Sequence, residues 1–368
     1  MKIEIKKLLR PIFNIYSYVF GAGARFFHPF FPFSPLRITF YITKKCNLTC
    51  PHCYTKDALN TPEPNALSLD EWKKIVDTIP RNTVIDFCGG EIFFSKHTLP
   101  LLDYMTKKKR LISIITNGTT MTKATIDKFI DQKITYYMTS IDGMEEYHDK
   151  LRGKKGTFER ATGMIKYMQE RKLEVGAKYP VTCLKTIITP ENYMDIPKIL
   201  DYAENVLGVD NIQFSLIYNN KNRMVFDTFS DYNIIPDFPG NTFEYPDETR
   251  EAVKNAIRYI IEYKKKSKMY IGIDPRMPKD EMLLDYIDDQ HSFGVKKCNK
   301  HWSEYYLHYD GQLTSCITYD FGNIRDVNYD TKKVLRQKRN QGFLKFIDSQ
   351  MPFLEECRSC CKSDHCRK

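Results

Sequence analysis

From Arg37 onward the apolar positions switch repeatedly between two periods, and the switches mark out strands and helices. Arg37-Ile38-Thr39-Phe40-Tyr41-Ile42 is short and rich in β-branched and aromatic residues, which predicts a strand. Ser68-Leu69-Asp70-Glu71 is a capping box and opens a helix whose apolar face carries Trp72, Ile75, Val76 and Ile79. Val84–Phe87 predicts a second strand; helix Leu99–Lys108 and strand Leu111–Thr116 follow. Next come helix Lys123–Asp131, strand Thr135–Ser140, helix Phe158–Lys172, strand Thr182–Ile188, helix Asn192–Asn205 and strand Ile212–Ile217. Strands alternating with helices predict a parallel sheet covered by helices. Six such units give an α/β fold, a partial (β/α)6 TIM-like barrel open on one side.

The flanks follow other patterns. In residues 1–36, Leu9, Ile12, Phe13, Tyr16, Val19 and Phe20 recur at helical spacing, and an aromatic, proline-broken run, Phe26 to Phe33, comes after Gly21 and Gly23. This segment is expected to pack as a strap or to touch a membrane surface, because basic residues flank its apolar face. Residues 219–246 mix Asn, Asp, Pro and aromatics without a period, which suits a lid or substrate loop. A helix at Asp247–Lys266 follows. The expected organisation is an N-terminal segment 1–36, a barrel 37–218, a lid or linker with helices 219–297, and a small cysteine-rich domain 298–368.

Composition narrows the class. Hydrophobic residues make up 42% and charged residues 28%, which suits a well-cored soluble protein. The net charge of +10 favours anionic partners, but the basic residues are dispersed rather than striped, which argues against nucleic acid. No apolar run reaches the ~18 residues of a membrane-spanning helix. Lys2, Lys6, Lys7 and Arg10 before Ile12–Phe20 imitate a signal peptide, but Glu4, Asn14, Ser17 and two tyrosines spoil the pattern. Seven of the eleven cysteines sit in close-spaced groups, which suits metal ligation in a reducing cytoplasm better than a disulfide framework. Cys88 and Cys183 fall in predicted strands and read as plain core thiols.

The first group, Cys46-Asn47-Leu48-Thr49-Cys50-Pro51-His52-Cys53, follows the first strand directly. Three thiolates on one loop can hold three corners of a 4Fe–4S cluster and leave one iron open to an amine and a carboxylate. Spacing alone leaves structural zinc open. In order along the chain come Gly89-Gly90-Glu91 after the second strand, Thr116-Asn117-Gly118 after the third and Ser140-Ile141-Asp142-Gly143 after the fourth. His148-Asp149-Lys150-Leu151-Arg152-Gly153 comes next. This series resembles the radical S-adenosylmethionine (SAM) superfamily over roughly residues 37–217. The resemblance implies that Cys46, Cys50 and Cys53 bind a 4Fe–4S cluster, that SAM occupies the fourth iron, and that His52 sits near the adenine. It implies that Gly89, Gly90 and Glu91 receive the SAM amino group, that Asn117, Ser140 and Asp142 face SAM, and that Arg152 meets the methionyl carboxylate. Ile92 stands where the family commonly has proline. It further implies reductive cleavage of SAM to a 5′-deoxyadenosyl radical that abstracts hydrogen, with a flavodoxin- or ferredoxin-type electron donor.

The second group begins with Cys298 and Cys316, which flank a predicted hairpin, Tyr305–Tyr309 then Asp310-Gly311 then Gln312–Thr314. Cys357, Cys360, Cys361 and Cys366 follow. This group resembles the family's C-terminal auxiliary-cluster extension, SPASM in full form and twitch in short form, with structural zinc as the alternative. The further cysteines of the full form are absent after Cys366, so one auxiliary 4Fe–4S cluster is expected. Cys298 and Cys316 are its firmest ligands, then Cys357 and Cys360, with Cys366 a rival for either place. A fully ligated auxiliary cluster implies net oxidation of the substrate. The expected substrate is a small molecule, with a peptide or a lipid-linked molecule as alternatives. The expected location is cytoplasmic, with possible peripheral contact at the inner membrane surface through residues 1–36.

Overall fold

Ser68 caps its helix as expected: its hydroxyl accepts from the Glu71 amide at 3.3 Å, and the Glu71 carboxylate accepts from the Ser68 amide at 2.8 Å. The helix they open, α1 (Leu69–Thr78), buries Trp72, Ile75 and Val76 against the sheet. The computed structural model of the chain describes residues 35–53, 55–216, 246–275, 277, 279–288, 300–315 and 319–350. Residues 1–34, most of the expected lid, and Cys298, Cys316, Cys357, Cys360, Cys361 and Cys366 lie outside them.

The predicted strands form within one or two residues of their expected bounds. They are β1 (Arg37–Tyr41), β2 (Val84–Cys88), β3 (Leu111–Thr116), β4 (Tyr136–Ser140), β5 (Val181–Ile188) and β6 (Asn211–Leu216). The helices between them are α1, α2 (Thr98–Lys107), α3 (Lys123–Asp131), α4 (Glu145–Arg152), α5 (Thr157–Glu174) and α6 (Ile196–Asp201), the last continued by a π turn at Tyr202–Val206. After α7 (Asp247–Lys266), strand β7 (Tyr270–Asp274) pairs parallel with β6. Beyond it lie α8 (Met282–Asp288) and α9 (Lys300–Ser303). Strands β8 (Glu304–His308) and β9 (Gln312–Ser315) form the expected hairpin, β10 (Tyr319–Asn323) pairs with β9, and α10 (Thr331–Leu335) and α11 (Lys338–Gln350) follow.

All ten strands join one sheet, in the order β10-β9-β8-β1-β2-β3-β4-β5-β6-β7. β1 to β7 run parallel, as the partial-barrel reading requires. β8 pairs parallel with the free side of β1, Arg37 opposite Glu304 and Tyr41 opposite His308. The hairpin region therefore continues the barrel sheet. β7, β10, α4, α9, α10 and α11 have no counterpart among the predicted elements.

Successive residues of a strand face opposite sides, and the two sides differ here. Ile38 and Phe40 face the helices, where Phe40 packs on Trp72 with ring centroids 4.8 Å apart. Thr39 and Arg37 face the other way and meet Asp86 of β2, with Arg37 Nη1 at 2.5 Å. The apolar core thus lies between sheet and helices. Because the strands are parallel, their C-terminal ends share one rim, the place where loops of such barrels carry function.

Candidate active site

The loop after β1 is laced to the end of β2 by backbone. Ile42 donates to the Cys88 carbonyl (3.1 Å), Gly90 to that of Thr43 (2.8 Å) and Glu91 to that of Lys45 (2.7 Å). The glycines permit this approach. A Cβ on Gly89, whose φ is +144°, would lie 2.4 Å from the Thr43 carbonyl oxygen, and one on Gly90 would lie 2.3 Å from that of Lys45. Two side chains that the sequence reading passed over hold the loop's shape. Glu63 accepts from Thr43 Oγ1 at 2.7 Å and from the Lys44 amide. Asn60 accepts from the Cys46 amide at 3.0 Å and donates to its carbonyl at 3.1 Å.

Each of the three thiols has a polar neighbour. Asn117 Nδ2 lies 4.0 Å from Cys46 Sγ, Arg152 Nη1 3.7 Å from Cys50 Sγ, and Thr55 Oγ1 3.6 Å from Cys53 Sγ. Burial pushes the Cys46 and Cys50 thiols up, and at Cys50 Arg152 opposes it. A metal ion would reverse that balance by taking the thiolate form.

Glu91 is fully buried. Its carboxylate accepts from Thr116 Oγ1 at 2.9 Å to both oxygens, from the Asn117 amide at 2.8 Å and from the Phe93 amide at 3.4 Å. Burial raises its pKa, and the Asn117 amide leads the opposing hydrogen bonds. Asn117 in turn donates to Asn47 Oδ1 at 3.0 Å and so reaches the cysteine loop.

A second buried network comes from β4 and α4. His148 and Arg152 stand four residues apart on α4, on one face. Arg152 pairs with Asp142, and Asp142 Oδ2 also lies 3.8 Å from His52 Nε2. The Asp142 amide donates to His148 Nδ1 at 3.1 Å, and its Oδ1 accepts from the Ile187 amide at 3.0 Å. Burial pushes the Asp142 pKa up, but Arg152, then His52 and His148, hold it below its ordinary value. Burial lowers His52 and drives His148 down to about 4, so both rings are neutral at neutral pH. Gly153 ends α4 with φ +69°, and a Cβ there would meet Thr49 Oγ1 at 2.7 Å, so the helix end presses on the cysteine loop.

The fold thus brings Cys46, Cys50, Cys53, His52, Gly89, Gly90, Glu91, Asn117, Asp142 and Arg152 to one rim, with Ser140 at the end of β4 beside them. Three thiols are a soft donor set for an iron–sulfur cluster. The buried atoms His52 Nδ1 and Arg152 Nε have no hydrogen-bond partner among the described residues. Arg152 also stands at Cys50, and His52 lies in the cysteine loop itself, so donor set and unpartnered atoms suit a 4Fe–4S cluster with SAM, although among the described residues no three His, Cys, Asp or Glu side chains are grouped closely enough to hold a metal ion as they stand. Cys183 is a core thiol, buried and pushed up to about 12 by that burial; Cys88 ends β2 and is half-buried.

Residues 40–203 match the model of the Radical SAM superfamily, and the chain carries a radical SAM domain. Over 141 residues it is 36% identical to the antilisterial bacteriocin subtilosin biosynthesis protein AlbA of Bacillus subtilis, covering 37% of this chain and 31% of that protein. Over 169 residues it is 33% identical to Fe-coproporphyrin III synthase of Methanosarcina barkeri, covering 45% and 40%. The chain thus spans well under two thirds of these relatives. Among solved structures, Streptococcus suis SuiB superimposes with a TM-score of 0.62 at 16% identity, over 94% of this chain and 78% of that one. Native anSMEcpe with bound AdoMet superimposes with a TM-score of 0.59 at 17% identity, over 89% of each chain. At such identities these likenesses show the fold alone.

Proposed function

We propose that the chain is a radical SAM enzyme that holds a 4Fe–4S cluster on Cys46, Cys50 and Cys53, binds SAM beside it, and removes hydrogen from a separate substrate. The observation that carries this reading is the placement of three cysteines on the one loop after β1, with Arg152 at Cys50, Asn117 at Cys46 and unpartnered polar atoms on His52 and Arg152. When bound, the cluster supplies the electron that cleaves SAM to methionine and a 5′-deoxyadenosyl radical. The chain's own residues bind, orient and shield. Asp142, fixed by the Ile187 amide, aims the Arg152 guanidinium between Cys50 and the methionyl carboxylate. Neutral His52 offers its ring to the adenine. The Gly89–Gly90 backbone, held in place beside Glu91, receives the ammonium end, and Asn117 and Ser140 present polar strand ends to the rest of the cofactor. The burial of Cys50, Glu91, Asp142 and Arg152 limits water on one side of the reacting centre.

The domain scheme belongs to the same proposal: segment 1–36, barrel 37–218, lid or linker 219–297 and auxiliary domain 298–368. So does one auxiliary 4Fe–4S cluster on Cys298 and Cys316 with Cys357 and Cys360, Cys366 being the rival ligand, and hence net oxidation of the substrate. A small molecule is the first reading of the substrate, and relatives named as Fe-coproporphyrin III synthase and pre-heme d1 synthase support it. A peptide is the second, supported by AlbA, by the sporulation killing factor maturation protein SkfB and by a PqqA peptide cyclase. A flavodoxin- or ferredoxin-type protein supplies electrons in a reducing cytoplasm; residues 1–36 serve as a strap packed on the main domain, with contact to a membrane surface as the alternative. No helix among the described residues is long and apolar enough to cross a membrane.

The test is anaerobic reconstitution, with iron and sulfide counted per chain, then dithionite and SAM added and 5′-deoxyadenosine assayed. About eight irons with deoxyadenosine formed supports both clusters. About four irons, with deoxyadenosine lost on Cys46→Ala/Cys50→Ala/Cys53→Ala, removes the auxiliary cluster alone. Failure to bind either iron or SAM would sink the proposal.

A further inference from the structure

The position of Glu91 does not suit the task its motif suggests. A group that touches SAM must present surface to the site, and Glu91 presents none: its relative exposure is 0%. Its carboxylate has three donors already: the single Thr116 hydroxyl, 2.9 Å from both oxygens, and the Asn117 and Phe93 amides. A carboxylate has about four lone-pair sites, so three are engaged and burial closes off the remainder from an ammonium. The backbone beside it differs. The carbonyl oxygens of Gly89 and Gly90 accept no hydrogen bond from a described residue.

What the carboxylate does hold is the end of β3. Through the Asn117 amide it fixes the residue whose side-chain amide donates to Asn47 at 3.0 Å and stands 4.0 Å from Cys46 Sγ. Through its own amide, Glu91 is tied to Lys45, the residue before Cys46. Strand ends β2 and β3 and the first cysteine corner therefore meet at one side chain.

We propose that Glu91 is a positioning residue, which sets Asn117 against the Cys46–Asn47 corner, and that it makes no contact with the SAM ammonium. This rests on the radical SAM reading of the loop. An N–H held near a cluster sulfur raises the cluster's reduction potential, so displacing Asn117 lowers it.

The test uses the reconstituted full chain, wild type, Glu91→Gln and Thr116→Val, the last removing a donor to the carboxylate while leaving Glu91 in place. Two readouts are taken: the midpoint potential and EPR signal of the reduced cluster without SAM, and equilibrium binding of SAM and of its desamino analogue. Both variants are expected to lower the midpoint potential and change the EPR signal. Glu91→Gln is expected to weaken SAM and the desamino analogue by the same factor, within about twofold. A loss for SAM about tenfold greater than for the analogue would assign the carboxylate to the ammonium and overturn the proposal. Unchanged potential and EPR signal in both variants would overturn it too. If Glu91→Gln does not fold, Thr116→Val alone decides through the potential and EPR signal. A wild-type chain that binds neither iron nor SAM fails at the earlier reading, and that result is separate from the variants.

Discussion

A methyl group on Gly90 should damage the site before any cofactor is present. In Gly90→Ala the new Cβ would lie 2.3 Å from the Lys45 carbonyl oxygen, 2.7 Å from its carbon and 2.9 Å from the Lys44 carbonyl oxygen. These are backbone atoms, so no side chain can swing aside, and the loop must retreat by about 1 Å. That retreat loosens the Gly90 bond to Thr43 and the Glu91 bond to Lys45. Two backbone hydrogen bonds at about 1 kcal/mol each, plus overpacking of about 1–3 kcal/mol, give a loss of about 3–5 kcal/mol. Gly163 supplies the control. It lies inside α5, a Cβ there meets nothing within 4 Å, and Gly163→Ala should gain about 0.5–1 kcal/mol in helix propensity. The assay is urea unfolding of the cluster-free chain, followed by tryptophan fluorescence and circular dichroism. A Gly90→Ala midpoint at or above that of wild type would refute the argument, as would equal shifts in the two variants.

Other outcomes follow from charge and burial. Glu71 accepts from Arg325 Nε at 2.7 Å and Tyr329 OH at 3.0 Å, and the Arg325 hydrogen bond leads in lowering its pKa to about 2. Its stabilisation is complete above the ordinary carboxylate range and is lost as pH falls towards 2. Glu71→Gln should cost about 2 kcal/mol at neutral pH and flatten that acid limb in unfolding curves. His148 behaves in the opposite chemical sense. Its folded pKa is about 4 against an ordinary 6.5, so the unfolded chain binds the proton first and stability falls as pH drops through this window. The loss is on the order of 3 kcal/mol, and it should be absent in His148→Gln when unfolding is compared across the same pH range. Cys183, raised to about 12, should escape iodoacetamide at about pH 8 in the native chain and react once the chain unfolds, as mass mapping would show.

The parts of the fold legible in the sequence are those that bury an apolar face. β1 to β6 and most of their helices reveal themselves because apolar residues recur with a period of two or near 3.6. α4 was illegible for the converse reason: its buried residues are His148, Asp149 and Arg152, polar groups packed against polar partners. β7 is only five residues long, carries Gly272 and opens on the polar end of α7, so its period is weak. Gly272 is there for room, since a Cβ would meet the Gln213 side chain. The pairing of β8 with β1 joins distant segments, and no local pattern records such a register. In the site, spacing pointed to the thiols, and the family resemblance to the glycines, Asn117, Asp142 and Arg152. Neither could reveal that Asn60 and Glu63 shape the loop, because their partners are mostly backbone groups, with the Thr43 hydroxyl beside them, and no side-chain pattern records such bonds.

The β8–β1 pairing bears on the order in which the molecule is made. The strand that launches the cysteine loop leaves the ribosome early, yet one of its two hydrogen-bonding edges is closed by a strand translated far later. Until then β1 is an open edge beside exposed thiols, prone both to stray strand pairing and to oxidation. Once β8 docks, the loop rests on an interior strand, and fraying is displaced to β10 and β7 at the margins. Iron loaded after that docking would meet a finished mould, whereas iron loaded earlier would meet a loose one. Completion of the sheet thus decides when the loop that leaves β1 reaches its finished shape.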